Sequence, residues 1–148
     1  MDNSQDFCSY SLALKLKRAG FDEPCIAQWA CEPDGKPMLL GSTAFVFRNA
    51  ELKGRDVTAP LLYHAQKWLR EGAMLHVGAC PAVPTLKWYF YIDDLNQHVN
   101  PHDGELMTRW DTDMQEKADE RLYDSYECAL SAGIYAALDL LAGKEGEK

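Results

Sequence analysis

The sequence lacks the short motifs that assign a chemistry to a chain. It has no P-loop, no dinucleotide-binding glycine motif, no nucleophile elbow and no zinc-protease helix motif, each of which places a defined group beside a substrate. Its longest apolar runs are far shorter than the roughly 20 residues that a membrane helix needs. The sequence therefore favours none of the common nucleotide-binding or hydrolase classes, and we expect neither a cofactor nor contact with a membrane.

Disulfide chemistry and secretion also have little support. The five cysteines are odd in number and form no C-x-x-C pair. The first residues, MDNSQDF, are acidic and contain no apolar run, so they do not resemble a secretion signal. We predict a reduced, cytoplasmic protein whose cysteines act as small buried hydrophobes. A catalytic cysteine is the alternative interpretation.

Basic patches are absent as well. The net charge is −8, and residues 103–127 contribute most of it, with three basic and nine acidic side chains. Nonspecific binding to a phosphate backbone is therefore disfavoured. We interpret residues 103–124 as a solvated acidic connector; the alternative is an acidic surface that docks a basic partner or mimics DNA.

What is present is the composition of an ordinary globular domain. The chain has 148 residues, of which 47% are hydrophobic and 26% charged, and a chain of this length buries roughly 68–70% of its unfolded surface. We predict one domain over residues 1–148, with frayed ends at about 1–8 and 143–148.

Three helices are predicted from their capping and stop residues. They run from Ser9 to Gly20, from Thr58 to Gly72 with Pro60 in the first turn, and from Ser125 to Gly143. Residues 112–122 could add a polar helix.

Five strands are predicted from short apolar or alternating runs: Cys25–Cys31, Met38–Phe47, Met74–Gly78, Leu86–Asp93 and Leu106–Trp110. Asp34-Gly35 predicts a hairpin turn between the first two, and residues 78–85, with two prolines, read as a loop. The fold class that follows is α+β, with a four- or five-stranded, mostly antiparallel sheet packed against two or three helices.

The clearest strand, LKWYFYID, suggests a binding surface. Its apolar side chains fall on one face, whereas Lys87, Tyr89 and Tyr91 fall on the other. Tyrosines are effective contact residues at interfaces. The alternative is that a helix covers this face or that the tyrosines form ordinary cross-strand pairs.

His64, within LLYHAQKWLRE, is a further binding candidate. The core face of this helix is centred on Ala65, and His64 lies about 100° away from it, one turn before Trp68. We interpret it as a boundary residue and assign no catalytic residue, because the sequence places no nucleophile or metal beside it.

The best metal-like cluster is His98, His102 and Asp103. Two histidines four apart bind zinc well on a helix, but Pro101 breaks the helix between them. The consecutive carboxylates Asp93-Asp94 would point to opposite faces of a strand. We therefore predict no metal site, and keep a small metal-dependent hydrolase using these histidines with Asp93 as an alternative.

Several stretches carry a resemblance: Ala13–Cys25, the Asp34-Gly35 turn, Ala59–Glu71, the strand WYFYI and Tyr123–Leu130. In this order they resemble a group of small proteins of unknown function found in gut Bacteroidetes and their phages and mobile elements. The resemblance implies a phage or mobile-element setting and assigns no catalytic residue.

The function that we expect is that of a non-enzymatic accessory protein that binds another protein; a homodimer is also compatible with the sequence. An acidic DNA mimic, or an inhibitor of a nucleic-acid enzyme, is the second hypothesis, and the metal-dependent hydrolase is the third.

Overall fold

The computed structural model describes residues 4–33, 35–42, 44–95, 98–99, 106–107 and 121–146. The fold class is α+β, as predicted, and the described residues form three α-helices and small antiparallel sheets. The chain divides into two compact units, one formed by Met1–Ala65 and Leu138–Lys148 and the other by Gln66–Ala137. The single-domain organisation stays a prediction.

Helix α1 of the first unit spans Tyr10–Arg18. The Ser9 side chain accepts a hydrogen bond from the backbone N–H of Leu12, which caps the helix at its N-terminus. After the helix Gly20 has a φ of +100°, a conformation that favours glycine. Both predicted boundaries of this helix are confirmed.

A three-stranded antiparallel sheet follows α1. Its strands are β1 (Ala27–Ala30), β2 (Met38–Gly41) and β3 (Val57–Thr58), in the order β2-β1-β3. The predicted antiparallel pairing of the first two strands is confirmed, while Asp34 of the turn lies outside the described residues.

Strand β2 is shorter than the predicted Met38–Phe47. It ends at Gly41, because the Ser42 hydroxyl accepts hydrogen bonds from the backbone N–H groups of Ala44 and Phe45. A serine that captures backbone donors in this way offers the chain an alternative to the strand ladder.

Thr58 does not cap the second helix, contrary to the prediction. It is buried in β3, and its backbone N–H donates to the side-chain oxygen of Asn49, whose amide nitrogen in turn donates to the Phe21 carbonyl. Helix α2 begins later and spans Leu62–Gly72, so Gly72 is confirmed as its end.

A long β-hairpin organises the second unit. Strands β4 (Leu75–Ala82) and β5 (Lys87–Asp94) pair along their whole length. The prediction of a loop over residues 78–85 is therefore wrong. Pro81 is tolerated in β4 because the backbone groups of its partner Trp88 bond to Tyr123 instead, so no ladder hydrogen bond is lost.

Helix α3 spans Tyr126–Gly146. The Ser125 hydroxyl accepts a hydrogen bond from the backbone N–H of Cys128, as the predicted cap requires. The helix continues past Gly143, the predicted end, because a glycine inside a helix costs only about 1 kcal/mol.

Two further short strands, β6 (His98–Val99) and β7 (Leu106–Met107), pair with each other. The predicted helix over 112–122 and most of the acidic connector lie outside the described residues. The single four- or five-stranded sheet is not confirmed, since the described strands are divided between separate sheets. Among the described helices none is long and apolar enough to span a bilayer.

Candidate functional site

The β4–β5 hairpin has two chemically different faces. One carries Val77, Phe90 and Ile92, which are all buried. The opposite face, called the tyrosine face below, consists of residues that are mostly polar or aromatic: His76, Gly78, Cys80 and Ala82 on β4, with Lys87, Tyr89, Tyr91 and Asp93 on β5. The three residues predicted from the sequence to form a binding surface thus share one face of β5.

Helix α3 packs on the buried face of the hairpin. A Cβ atom added to Gly133 would lie 2.6 Å from Val77 Cγ1 and 3.0 Å from Phe90 Cβ. Contacts this short mean that only glycine lets the helix backbone approach so closely. The tyrosine face points away from this helix, and the side chains of Tyr89 and Tyr91 are half-buried.

Tyr91 is held tightly against the sheet. It lies opposite Gly78, and a Cβ atom on that glycine would fall 2.3 Å from the Cζ and Oη atoms of the tyrosine ring. The ring therefore fills the place of the missing side chain. Burial raises the pKa of Tyr91, with further contributions from Cys80, Asp93 and Tyr126. Its hydroxyl is a hydrogen-bond donor at neutral pH, as it would be in any tyrosine.

His76 was not singled out in the sequence, and it lies beside Tyr91. Their ring centroids are 5.9 Å apart, and Asp93 is directly opposite His76 in the strand register. The Nδ1 atom of His76 is buried and has no hydrogen-bond partner among the described residues. Side chains alternate between the two faces of a strand. Applied to the predicted strand Met74–Gly78, this alternation was the signal that could have placed His76 on this face.

Lys87 is at the turn end of the tyrosine face. Its ammonium group lies 2.5 Å from a carboxylate oxygen of Asp124, and this contact lowers the pKa of Asp124. The backbone of Tyr123 pairs with Trp88 next to it, which fixes the segment that carries Asp124. Because its charge is paired, Lys87 offers little attraction for a phosphate group.

The hairpin tip, residues 83–86, is apolar and exposed. Val83 is 83% exposed and Leu86 is 91% exposed. A cavity of about 160 Å³ lies beside the tip, lined by Pro81–Pro84 and Leu86–Trp88. Leu86 has a φ of +60°, a strained conformation for a leucine. The sequence places Val83 in a predicted loop and Leu86 at the start of a predicted strand, and neither pattern indicates an exposed apolar tip.

The fourth predicted binding residue, His64, is on helix α2 and not on the β4–β5 hairpin. His64 belongs to the other compact unit, where its ring lies 5.3 Å from that of Phe21 in an edge-to-face contact. Such a contact is characteristic of a structural residue. The tyrosine face therefore includes three of the four residues that the sequence singled out for binding.

No described group supports a metal centre. Among the residues that the structure describes, no three His, Cys, Asp or Glu side chains are arranged to hold an ion. Asp93 is exposed whereas Asp94 is only 3% exposed on the opposite face, so the two carboxylates do not converge. The side chain of His98 and the residues His102 and Asp103 lie outside the described part of the chain. What we state of them as metal ligands stays a prediction.

The five cysteines are all free. Cys8 and Cys25 are buried, Cys31 and Cys80 are half-buried, and Cys128 is exposed. The prediction of buried cysteines is thus correct for two of the five.

Comparison with known proteins identifies no relative: no protein-family model matches the chain, and neither a curated protein nor a solved structure is similar to it.

Proposed function

We propose that this chain is a non-enzymatic accessory protein that binds another protein through the tyrosine face and the adjoining hairpin tip. We place it in the cytoplasm, in keeping with its five free cysteines, and in the phage and mobile-element setting that the sequence resemblance implies.

The observation that carries the proposal is the fixed position of Tyr91. A contact residue that is free to rotate loses conformational entropy when a partner immobilises it. Tyr91 has already lost that freedom, because its ring rests on Gly78 and beside His76. An aromatic side chain that is rigid before binding is the kind of anchor on which protein interfaces depend.

Leu86 adds a second, independent argument. A leucine with a positive φ costs roughly 1–2 kcal/mol relative to an unstrained residue, and its side chain gains nothing from burial at 91% exposure. Backbone strain of this kind concentrates at functional positions. The leucine at the hairpin tip is therefore proposed as a contact residue.

The chemistry of the face suggests the chemistry of the partner. The face offers aromatic surface and a phenolic donor, and its lysine is paired with Asp124. A partner surface with apolar side chains and carbonyl or carboxylate acceptors fits these groups. A nucleic acid fits less well, because phosphate binding relies on unpaired basic side chains.

The test begins with capture of proteins from a lysate of gut Bacteroidetes on immobilised wild-type protein. A captured protein counts as the partner only if, once purified, it binds the wild type directly in isothermal titration calorimetry. Tyr91→Ala and Leu86→Ser should each raise the dissociation constant by about tenfold or more, as expected for central contact residues.

Matched controls keep this test specific. Tyr91→Phe retains the ring but removes the phenolic donor, so it should bind less tightly than the wild type and more tightly than Tyr91→Ala. Tyr63→Ala removes a tyrosine that is 64% exposed on α2, in the other compact unit, and should leave binding unchanged. Folding of every variant is checked by circular dichroism. Equal binding by Tyr91→Ala, Leu86→Ser and wild type would reject the proposal.

The acidic DNA mimic and the metal-dependent hydrolase stay alternative hypotheses. The mimic depends on the acidic residues 103–124, and the hydrolase depends on His98 and His102 with Asp93; most of these residues lie outside the described part of the chain. Stoichiometric zinc or manganese in the purified protein would favour the hydrolase over the accessory protein.

A further inference from the structure

Strand β2 presents an open edge. It pairs with β1 on one side, and the described residues include no strand on its other side. The backbone N–H of Ser42 donates to the Ile26 carbonyl of the chain entering β1, at 2.9 Å. Backbone N–H and C=O groups alternate in direction along a strand. Those of Met38 and Leu40 therefore also point toward β1. The N–H and C=O groups of Leu39 and Gly41 therefore point outward.

These outward groups differ from those of the other hairpin. On β4 the Gln66 side-chain amide donates to the outward Val77 carbonyl at 2.6 Å, and on β5 the backbone of Tyr123 pairs with Trp88. In the described part of the chain no residue bonds to the outward groups of Leu39 and Gly41. The edge of β2 is thus a ready template for another strand.

The side chains around this edge are also unusual for an exposed strand. Met38 is 60% exposed, Leu40 is 43% exposed and Ile26, before β1, is 52% exposed. Natural proteins commonly protect an edge with a charged side chain, a proline or a bulge. The four residues of β2 contain none of these, because Pro37 precedes the strand and Lys36 lies further out.

We infer that β2 pairs in antiparallel fashion with β2 of a second copy of this chain, independently of the proposed function of the hairpin. In the matching register Leu39 of each copy exchanges both backbone hydrogen bonds with Gly41 of the other. Leu40 then faces Leu40 of the second copy at the two-fold axis. This register satisfies every outward group of the two residues, and it places two exposed leucines in contact.

The charges in this part of the chain permit such a contact. Residues 1–65 carry seven basic and eight acidic side chains, so they contribute little to the net charge of −8. In the antiparallel register Lys36 of one copy lies opposite residue 44 of the other, far from the second Lys36. Two copies therefore meet through surfaces without strong mutual repulsion.

The expected dimer is weak. Stable interfaces bury about 1,200–2,000 Å² in total, and pairing of a four-residue strand falls at the low end of interface sizes. The association should therefore depend on concentration, and we propose sedimentation velocity from about 1 to 300 µM to follow it.

Gly41→Pro and Gly41→Ala form the critical pair of variants. Proline removes the outward N–H without touching a hydrogen bond to β1. Alanine keeps that N–H, and its Cβ would meet only the Ile26 carbonyl oxygen at 3.8 Å, an ordinary contact. Proline should raise the dimer dissociation constant by about tenfold or more, whereas alanine should leave it unchanged.

Leu40→Lys provides a second disruption that leaves the backbone intact. It sets two ammonium groups against each other at the two-fold axis and should also abolish the dimer, with the thermal melting curve showing that the monomer is folded. A wild type that stays monomeric at the highest concentration would overturn the inference. A dimer that survives Gly41→Pro and Leu40→Lys would overturn it as well.

Discussion

The ring of Tyr91 occupies the space that any side chain on Gly78 would need. The two residues are opposite each other in the β4–β5 register, and the ring atoms approach an added Cβ to 2.3 Å. Each residue therefore defines the environment of the other: the glycine makes room for the ring, and the ring covers the glycine.

Gly78→Ala should consequently destabilise the protein. The new methyl group displaces the tyrosine ring, and overpacking of this kind costs typically 1–3 kcal/mol. Urea denaturation of the single and double variants measures the effect. In the Tyr91→Ala background the same substitution should cost much less, because the obstructing ring is gone. Additive effects of the two substitutions would contradict the contact.

Gly133→Ala tests the close packing of helix α3 on the hairpin. Its Cβ would lie 2.6 Å from Val77 Cγ1, so we expect a loss of about 1–3 kcal/mol in the free energy of unfolding. Gly143→Ala is the matched control on the same helix, since a Cβ there meets nothing within 4 Å. The control should stabilise the protein by about 0.5–1 kcal/mol through helix propensity. A similar loss at both positions would argue against the packing.

Leu86→Gly should weaken binding without lowering stability. Glycine adopts the φ of +60° without strain, so the variant should be as stable as the wild type or up to about 1 kcal/mol more stable. It should nevertheless bind the partner of the hairpin less tightly, because the exposed side chain is lost. Denaturation and calorimetry on the same variant give the two values. Unimpaired binding would remove Leu86 from the proposed surface.

Cys25 should make stability depend on alkaline pH. Burial raises the pKa of its thiol from 9.0 to about 11, so the folded state retains a proton that the unfolded chain loses first. This contribution to stability is complete below pH 9 and declines as the pH rises toward 11. Cys25→Ala should show a shallower decline over this interval in urea denaturation. An equal decline of stability with pH in the wild type and in Cys25→Ala would contradict the raised pKa of Cys25.

His64→Ala should affect stability only. The edge-to-face contact with Phe21 has ring centroids 5.3 Å apart, and such contacts contribute about 0.5–1.5 kcal/mol. The neighbouring Tyr63→Ala, on an exposed side chain of the same helix, should change stability by less than about 0.5 kcal/mol. The two thermal melts are compared directly. A small molecule that binds His64 specifically would show that the residue has a further role.

The sequence predicted those elements whose signals are local. Ser9 and Ser125 cap α1 and α3 through their own hydroxyl groups, and both were identified correctly. The alternation of residues 86–93 identified β5 and its two faces. In each case the atoms that decide the structure lie within a few residues of one another.

Elements that depend on distant contacts were not predicted. Threonine is a common helix cap, but the backbone N–H of Thr58 donates to the side-chain oxygen of Asn49, nine residues earlier. Pro81 suggests a loop, but pairing of Trp88 with the remote Tyr123 makes a strand acceptable. For the candidate site, the sequence identified Tyr91, whereas Gly78 and His76 required the register of the hairpin. Sequence periodicity contains no information on such partners.

The two edges of the β4–β5 hairpin also find their partners at different times during synthesis. Gln66, which covers the β4 edge, is made before Val77 and is available as soon as that strand leaves the ribosome. Trp88 must wait until residues 89–122 have been translated before Tyr123 can pair with it. Of the two hairpin strands, β5 thus has the longer interval in which its edge is open to incorrect pairing, and slow translation of residues 89–122 would lengthen its exposure to aggregation.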